Sequence, residues 1–218
     1  MFEEENRYNE DPQLKQLIAR FDKMISQNDF FYFDSEDIEN IIDHFINDGN
    51  RNKIQKAIQL ADKLFPFSVD LQVKKAQVLI SFDESEYALK QLQKIEHLAQ
   101  NNDDFLFTMA VTYSKLEKHQ EALDIFDKLF QKDPNNEEVL SCIAYEYQSM
   151  GKYEKSIQYL KRLLLNTPHN EFTWYSISLC YELVDGYDKA IRFFKKFIDH
   201  NPYSHLAWQY LGTIYQKK

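Results

Sequence analysis

Residues 168–202 read PHNEFTWYSISLCYELVDGYDKAIRFFKKFIDHNP, and the prolines that bracket this stretch, Pro168 and Pro202, stand 34 residues apart. Pro134 lies the same distance before Pro168, and Pro66 lies two such distances before Pro134. Four of the five prolines therefore share one phase of a 34-residue period. Self-similarity at such a spacing marks a stack of repeated units. The fifth proline, Pro12, follows Asp11 and reads as the first turn of a helix capped by Asp11.

Placing position 1 at residues 35, 69, 103, 137 and 171 divides 35–204 into five units (35–68, 69–102, 103–136, 137–170, 171–204) with no insertion. Position 8 is then Ile42, Ala76, Ala110, Ala144 and Ser178, and position 20 is Ile54, Ala88, Ala122, Ser156 and Ala190. Position 11 is Phe45, Leu79, Tyr113, Tyr147 and Tyr181, and position 24 is Ile58, Leu92, Phe126, Leu160 and Phe194. Apolar or small residues at 4, 7, 8 and 11 predict one amphipathic helix, and those at 20, 24 and 27 a second. Small residues at 8 and 20 let the two backbones approach, and large ones at 11 and 24 fill the remaining space. Gly49, Gly151 and Gly186, at positions 15 or 16, predict a turn that needs a permissive backbone. The proline at position 32 ends the second helix. Gln100 replaces it in the second unit. A lone helix pair cannot bury both of its faces, so neighbouring pairs must stack.

The two ends differ. Residues 1–10 are polar and expected to be disordered. Residues 11–34 read as an N-terminal capping helix and an aromatic linker, with Leu14, Leu17, Ile18, Phe21, Met24 and Ile25 along one helical stripe. Phe30-Phe31-Tyr32-Phe33 admits two readings: an exposed docking patch, or packing between the capping helix and the first unit. The second is favoured because large exposed apolar patches are rare. Residues 205–218 supply the first helix of a sixth unit, expected to be truncated. Its Trp208, Leu211 and Tyr215 would ordinarily be covered by a second helix. End stacking into a homodimer is expected as a consequence, as is continuation into a longer chain.

Composition narrows the chemistry. The four glycines compare with about fifteen at ordinary usage. That argues against Gly-rich phosphate loops and many tight hairpins. A net charge of -9 disfavours nucleic acid and anionic membrane surfaces as partners. No apolar stretch is long enough to span a bilayer, so no membrane insertion is expected, and the acidic N-terminus does not read as a secretory signal. Two cysteines, Cys142 and Cys180, make no disulfide framework and suit a reducing, cytoplasmic setting. They read as small buried hydrophobes. The histidines make no HExxH pair, and no metal site, cofactor or catalytic constellation is predicted. The carboxylates of Ser35-Glu36-Asp37, Asp103-Asp104 and Asn136-Glu137-Glu138 sit where first helices begin, and are assigned to capping and to the helix dipole.

The unit resembles the tetratricopeptide repeat, whose signature is W-x2-L-G-x2-Y, then A-x3-F, then P. Trp208, Leu211, Gly212 and Tyr215 match its first part. Trp174, Tyr181, Tyr187, Ala190, Phe194 and Pro202 match nearly all of it, and Ala122, Phe126 and Pro134 match the second part. Arg51, Ile54 and Gln100 depart from the turn aromatic, the small residue and the proline. The resemblance implies an all-α fold, a right-handed α-solenoid of antiparallel helix pairs, and a non-catalytic module that binds proteins. It also implies that positions 2, 5, 9, 12 and 13 of the first helices line a concave groove. In this sequence those positions include Phe107, Val111, Tyr145, Tyr175 and Leu179, an apolar and aromatic set, with Gln77, Glu39 and Asp43 toward the N-terminal end. A peptide segment of a partner is the expected occupant, with a basic residue near Glu36, Glu39 and Asp43. Filling of the groove by the protein's own residues or by a neighbouring molecule is the other reading. The paired Lys and Asn that some family members use to grip a C-terminal carboxylate are absent. A structural scaffold, or the regulatory part of a longer multi-repeat protein, is the alternative function.

Overall fold

The 34-residue period sets where helices start. The computed structural model describes residues 12–27 and 30–218. The disorder expected for 1–10 and the cap expected of Asp11 lie outside the described residues. After α1 (Pro12–Gln27), first helices begin at position 1: α2 (Ser35–Asn47), α4 (Val69–Ser81), α6 (Asp103–Lys115), α8 (Glu137–Ser149), α10 (Glu171–Leu183) and α12 (His205–Lys217). Second helices begin at position 17: α3 (Arg51–Leu64), α5 (Ser85–Ala99), α7 (His119–Lys132), α9 (Tyr153–Asn166) and α11 (Tyr187–His200). Among the described residues there are twelve helices and no strand, so the fold is all-α. Helices of one repeat pair as hairpins, α2 with α3, α4 with α5, α6 with α7 and α8 with α9, and within α6–α12 successive hairpins also pack on one another. The chain divides at Gln100/Asn101 into two compact units, the first holding α1–α5 and the second α6–α12.

Each first helix starts because a side chain at position 34 of the preceding unit accepts the backbone N–H three residues on. Asp34, Ser68, Asn102, Asn136, Asn170 and Ser204 accept from Asp37, Leu71, Phe105, Val139, Thr173 and Ala207 respectively. This satisfies one of the free donors of a helix start. Two of the capping assignments made from sequence are therefore corrected by one residue: Asp34 caps rather than Ser35, and Asn102 rather than Asp103. Asp34 and Asp37 close a reciprocal capping box. Glu36, Asp103 and Glu137 instead occupy first turns, where they complement the positive helix end.

The turn from first to second helix has one backbone form in all five units. The residue at position 15 is left-handed in each: Gly49, Asp83, Glu117, Gly151 and Asp185, with φ between 50° and 70°. The N–H at position 16 reaches the carbonyl at position 11, as in Lys152 to Tyr147 at 2.8 Å, and the N–H at position 15 reaches position 12, as in Gly151 to Gln148 at 2.9 Å. That is a Schellman ending. Gly186 does not take the left-handed place expected of it, because Asp185 does. Gly186 answers crowding instead: a Cβ there would lie 3.1 Å from the side chains of both Tyr181 and Val184.

The turn back is a β-turn with proline second, closed by bonds such as Ser68 N–H to the Phe65 carbonyl at 3.1 Å and Asn170 N–H to Thr167 at 3.1 Å. Trp174 Nε1 donates to the Pro168 carbonyl at 2.9 Å, and Trp208 Nε1 repeats this on Pro202 at 2.9 Å. Where Gln100 replaces proline, α5 runs one residue beyond the other second helices, and the boundary between the units follows.

In the first unit, α1 buries Leu17 and Phe21 against Phe33, Ile38, Ile41, Ile42 and Phe45. Along 30–34, outside any helix, burial alternates from residue to residue. Phe33 is buried and Phe31 half-buried, whereas Phe30 and Tyr32 point outward. In the second unit the small residues at positions 8 and 20, Ala110, Ala122, Ala144, Ser156 and Ala190, are all fully buried, and Phe126, Leu160 and Phe194 close over them.

Candidate functional site

The residues expected to line a groove fall in both units. In the first, Glu39 and Asp43 project from α2 and Gln77 from α4. Burial, then the nearby Asp70, pushes the Glu39 carboxyl above its ordinary range. Asp43 is already engaged: Lys74 Nζ lies 2.8 Å and 2.9 Å from its two oxygens. The carboxylate expected to receive a partner's basic residue thus has a lysine of its own.

In the second unit the structure brings Val111 of α6 and Tyr145 of α8 to one cavity of about 260 Å3. Phe172 and Ser176 of α10 complete its wall. Phe107 is drawn inward, where its ring meets Phe126 of its own unit edge-on at 5.7 Å, so it serves the core as well as the face. Leu179 is half-buried. Tyr145, Tyr175 and Phe172 remain 57%, 53% and 67% exposed. Phe172 stands at position 2, one of the groove positions, and went unnamed in the sequence reading. Its signal was a phenylalanine where the other units carry Glu36, Asp70, Asp104 and Glu138.

The floor of this cavity holds a residue that pattern reading passed over. Glu146 is 1% exposed, and its Oε2 lies 2.7 Å from Nδ1 of His119, the first residue of α7. A buried carboxylate needs such a partner. Glu146 sits at position 10, on a stripe otherwise used for core, and His119 stands where later units have Tyr153 and Tyr187. His119 also borders a polar hollow of about 510 Å3, lined by Tyr145 with Ser114, Lys115, Glu117 and Ser149. Cys142 also lines the apolar cavity. Burial, reinforced by Glu138 and Glu146, pushes its thiol up to about 12, so it stays protonated at neutral pH. Cys180 is buried, with Gln148 Nε2 3.1 Å from its sulfur. Both cysteines are free. Among the described residues no group of three or more His, Cys, Asp or Glu is placed to hold a metal ion.

At the far end of the second unit, Leu211 does not belong with Trp208 and Tyr215. It faces the preceding hairpin and is buried, whereas Trp208 and Tyr215 are 54% and 49% exposed. Lys217 reaches Glu182, and Lys218 reaches Asp188 at 2.6 Å, which holds the Asp188 carboxyl below its ordinary range.

Residues 42–189 match the family described as Psidin, N-terminal TPR repeats region. The structure is similar to the crystal structure of MamA protein, with a TM-score of 0.62 at 20% identity over 74% of this chain and 88% of that one. It is also similar to a tetratricopeptide repeat protein from Parabacteroides merdae, with a TM-score of 0.60 at 17% identity over 83% of this chain and 72% of that one. Likeness at these identities concerns the fold. No curated protein matches the chain in sequence. No described helix is long and apolar enough to cross a membrane.

Proposed function

The chain belongs to the family of Psidin N-terminal TPR repeats, and from that premise we propose that it is a non-catalytic protein-interaction module that holds a peptide segment of a partner. The first-helix face of the second unit is the proposed surface. The observation that carries the reading is the convergence of Val111, Tyr145 and Phe172 on one apolar cavity, with Tyr175 exposed on the same helix as Phe172. Exposed aromatics around a hollow are what a partner's side chains would desolvate. The protonated Cys142 thiol suits a binding role better than a nucleophilic one. The net charge of -9 favours a basic segment and disfavours nucleic acid. The proposed setting is the cytoplasm, where thiols such as Cys142 and Cys180 stay reduced.

The test is a pull-down with the wild type and with the Tyr145→Ala/Tyr175→Ala variant. Loss of each true partner only from the variant, at an unchanged thermal midpoint, is the expected result. Each truncation of a contact aromatic should cost about 2 kcal/mol of binding. Equal recovery by both proteins would move the site elsewhere. The exposure of Trp208 and Tyr215 supports a second reading, in which α12 stacks on another copy as part of an assembly scaffold. Light scattering that shows a strict monomer over a wide concentration range would remove it.

A further inference from the structure

We propose that the cavity floored by Glu146 is a pocket for a single cationic side chain, a lysine or arginine of the bound segment. This rests on the reading of the first-helix face as a peptide surface, and adds to it the chemistry that is recognised there. The volume, about 260 Å3, lies below the roughly 300–1,000 Å3 typical of small-molecule sites, which suits one side chain rather than a cofactor. The wall and the floor differ in kind. Val111, Tyr145 and Phe172 offer apolar surface, which matches the methylene stem of a lysine or arginine. The floor is a carboxylate. Glu146 is 1% exposed, it lines the cavity, and His119 Nδ1 contacts its Oε2. A side chain that is apolar along its length and cationic at its tip satisfies both. Tyr145 and Phe172 at the mouth add ring faces that attract a cation.

The charge distribution of the second unit points the same way. Its first helices α6, α8, α10 and α12 carry seven carboxylates and two cations, Lys115 and Lys217. Its second helices α7, α9 and α11 carry nine Lys and Arg against six carboxylates. The field over the first-helix face therefore draws a basic segment in, and the second-helix face repels it. Asp43, the sequence-based candidate for this role, is paired with Lys74. Glu146 is paired instead with a histidine, His119.

The experiment is selection of a random-peptide phage library on the immobilised full-length protein. Selected peptides are expected to share one lysine or arginine flanked by apolar residues. In a chosen peptide, replacing that residue by norleucine should weaken binding to the wild type about 30-fold or more. The same replacement should matter little to the Glu146→Gln variant. Peptides selected without a common basic residue would overturn the pocket while leaving the peptide surface standing, as would an equal norleucine effect on both proteins. No enrichment at all would overturn the surface and the pocket together. If Glu146→Gln fails to fold, the wild type alone decides, with a photoreactive lysine analogue at the basic position of the peptide. Crosslinks at Tyr145, Glu146 or Phe172 support the pocket, and crosslinks elsewhere overturn it.

Discussion

The first and second helices of each unit begin in opposite ways. First helices follow a turn written in side chains: an Asp, Asn or Ser whose oxygen takes the N–H three residues on, with a proline two residues before it in four of the six. Second helices follow a turn written in backbone, a left-handed residue at position 15, and four of the five have no side-chain cap. The first kind of turn leaves strong marks on the sequence. The second does not, because Gly49 and Gly151 share its key position with Asp83, Glu117 and Asp185. The unit is thus held in phase by chemistry at one end and by conformation at the other.

The largest break in this contrast should come from Trp174, which is fully buried and ties the side-chain turn shut through the Pro168 carbonyl. Trp174→Ala should cost about 3–5 kcal/mol, read as a lower urea midpoint. A loss under about 1 kcal/mol would mean that the turn closes without it. The caps come next. Asn136→Ala should cost about 1 kcal/mol, whereas Lys152→Ala, at the start of an uncapped second helix, should cost almost nothing. Equal losses would erase the distinction between the two helix starts.

The backbone turn sharpens the contrast with effects of both signs. Gly151 has nothing within 4 Å of an added Cβ, so Gly151→Ala would probe conformation alone and should destabilise by about 1 kcal/mol. Glu117 has a φ of 57°, and Glu117→Gly should stabilise by about 0.5 kcal/mol. The smallest effect concerns the acidity of the first helices. Folding raises the Glu39 carboxyl above its ordinary value, so the native state binds that proton more tightly than the unfolded chain. The native state therefore loses stability as pH rises from the ordinary carboxyl range into the raised one. Glu39→Gln should melt higher than the wild type at about pH 7, with the gap closing toward about pH 4. A gap that does not change with pH would assign the effect to packing.

Repeat phase and helix type were readable because they depend on spacing, and the small residues at 8 and 20 leave little choice of register. The caps were missed by one residue at Asp34 and Asn102 because runs such as Asp34-Ser35-Glu36-Asp37 contain several side chains able to cap. Only the backbone turn selects among them. Gly186 misled for the converse reason: its side chain is absent for want of space, not for conformational freedom. Of the candidate site, Tyr145 and Tyr175 were legible as exposed aromatic residues at positions the core does not use, whereas Val111 also packs against the core. Glu146 and His119 were not. A carboxylate on a core stripe shows no partner in sequence, and His119 comes to it from another helix, 27 residues away. Asp43 was named without its lysine for the same reason.

The capping side chains also set a pattern in time. The amides of a helix's first turn ordinarily trade their hydrogens with solvent freely, since no carbonyl holds them. Here the amides of Asp37, Leu71, Phe105, Val139, Thr173 and Ala207 are each held by a side-chain oxygen. In heavy water these six should retain protium longer than the amides of Glu121 and Lys189, whose helices start without a side-chain cap. Slow sites would then recur along the chain like evenly spaced teeth, and the solvent would read the spacing of the fold without any knowledge of its coordinates.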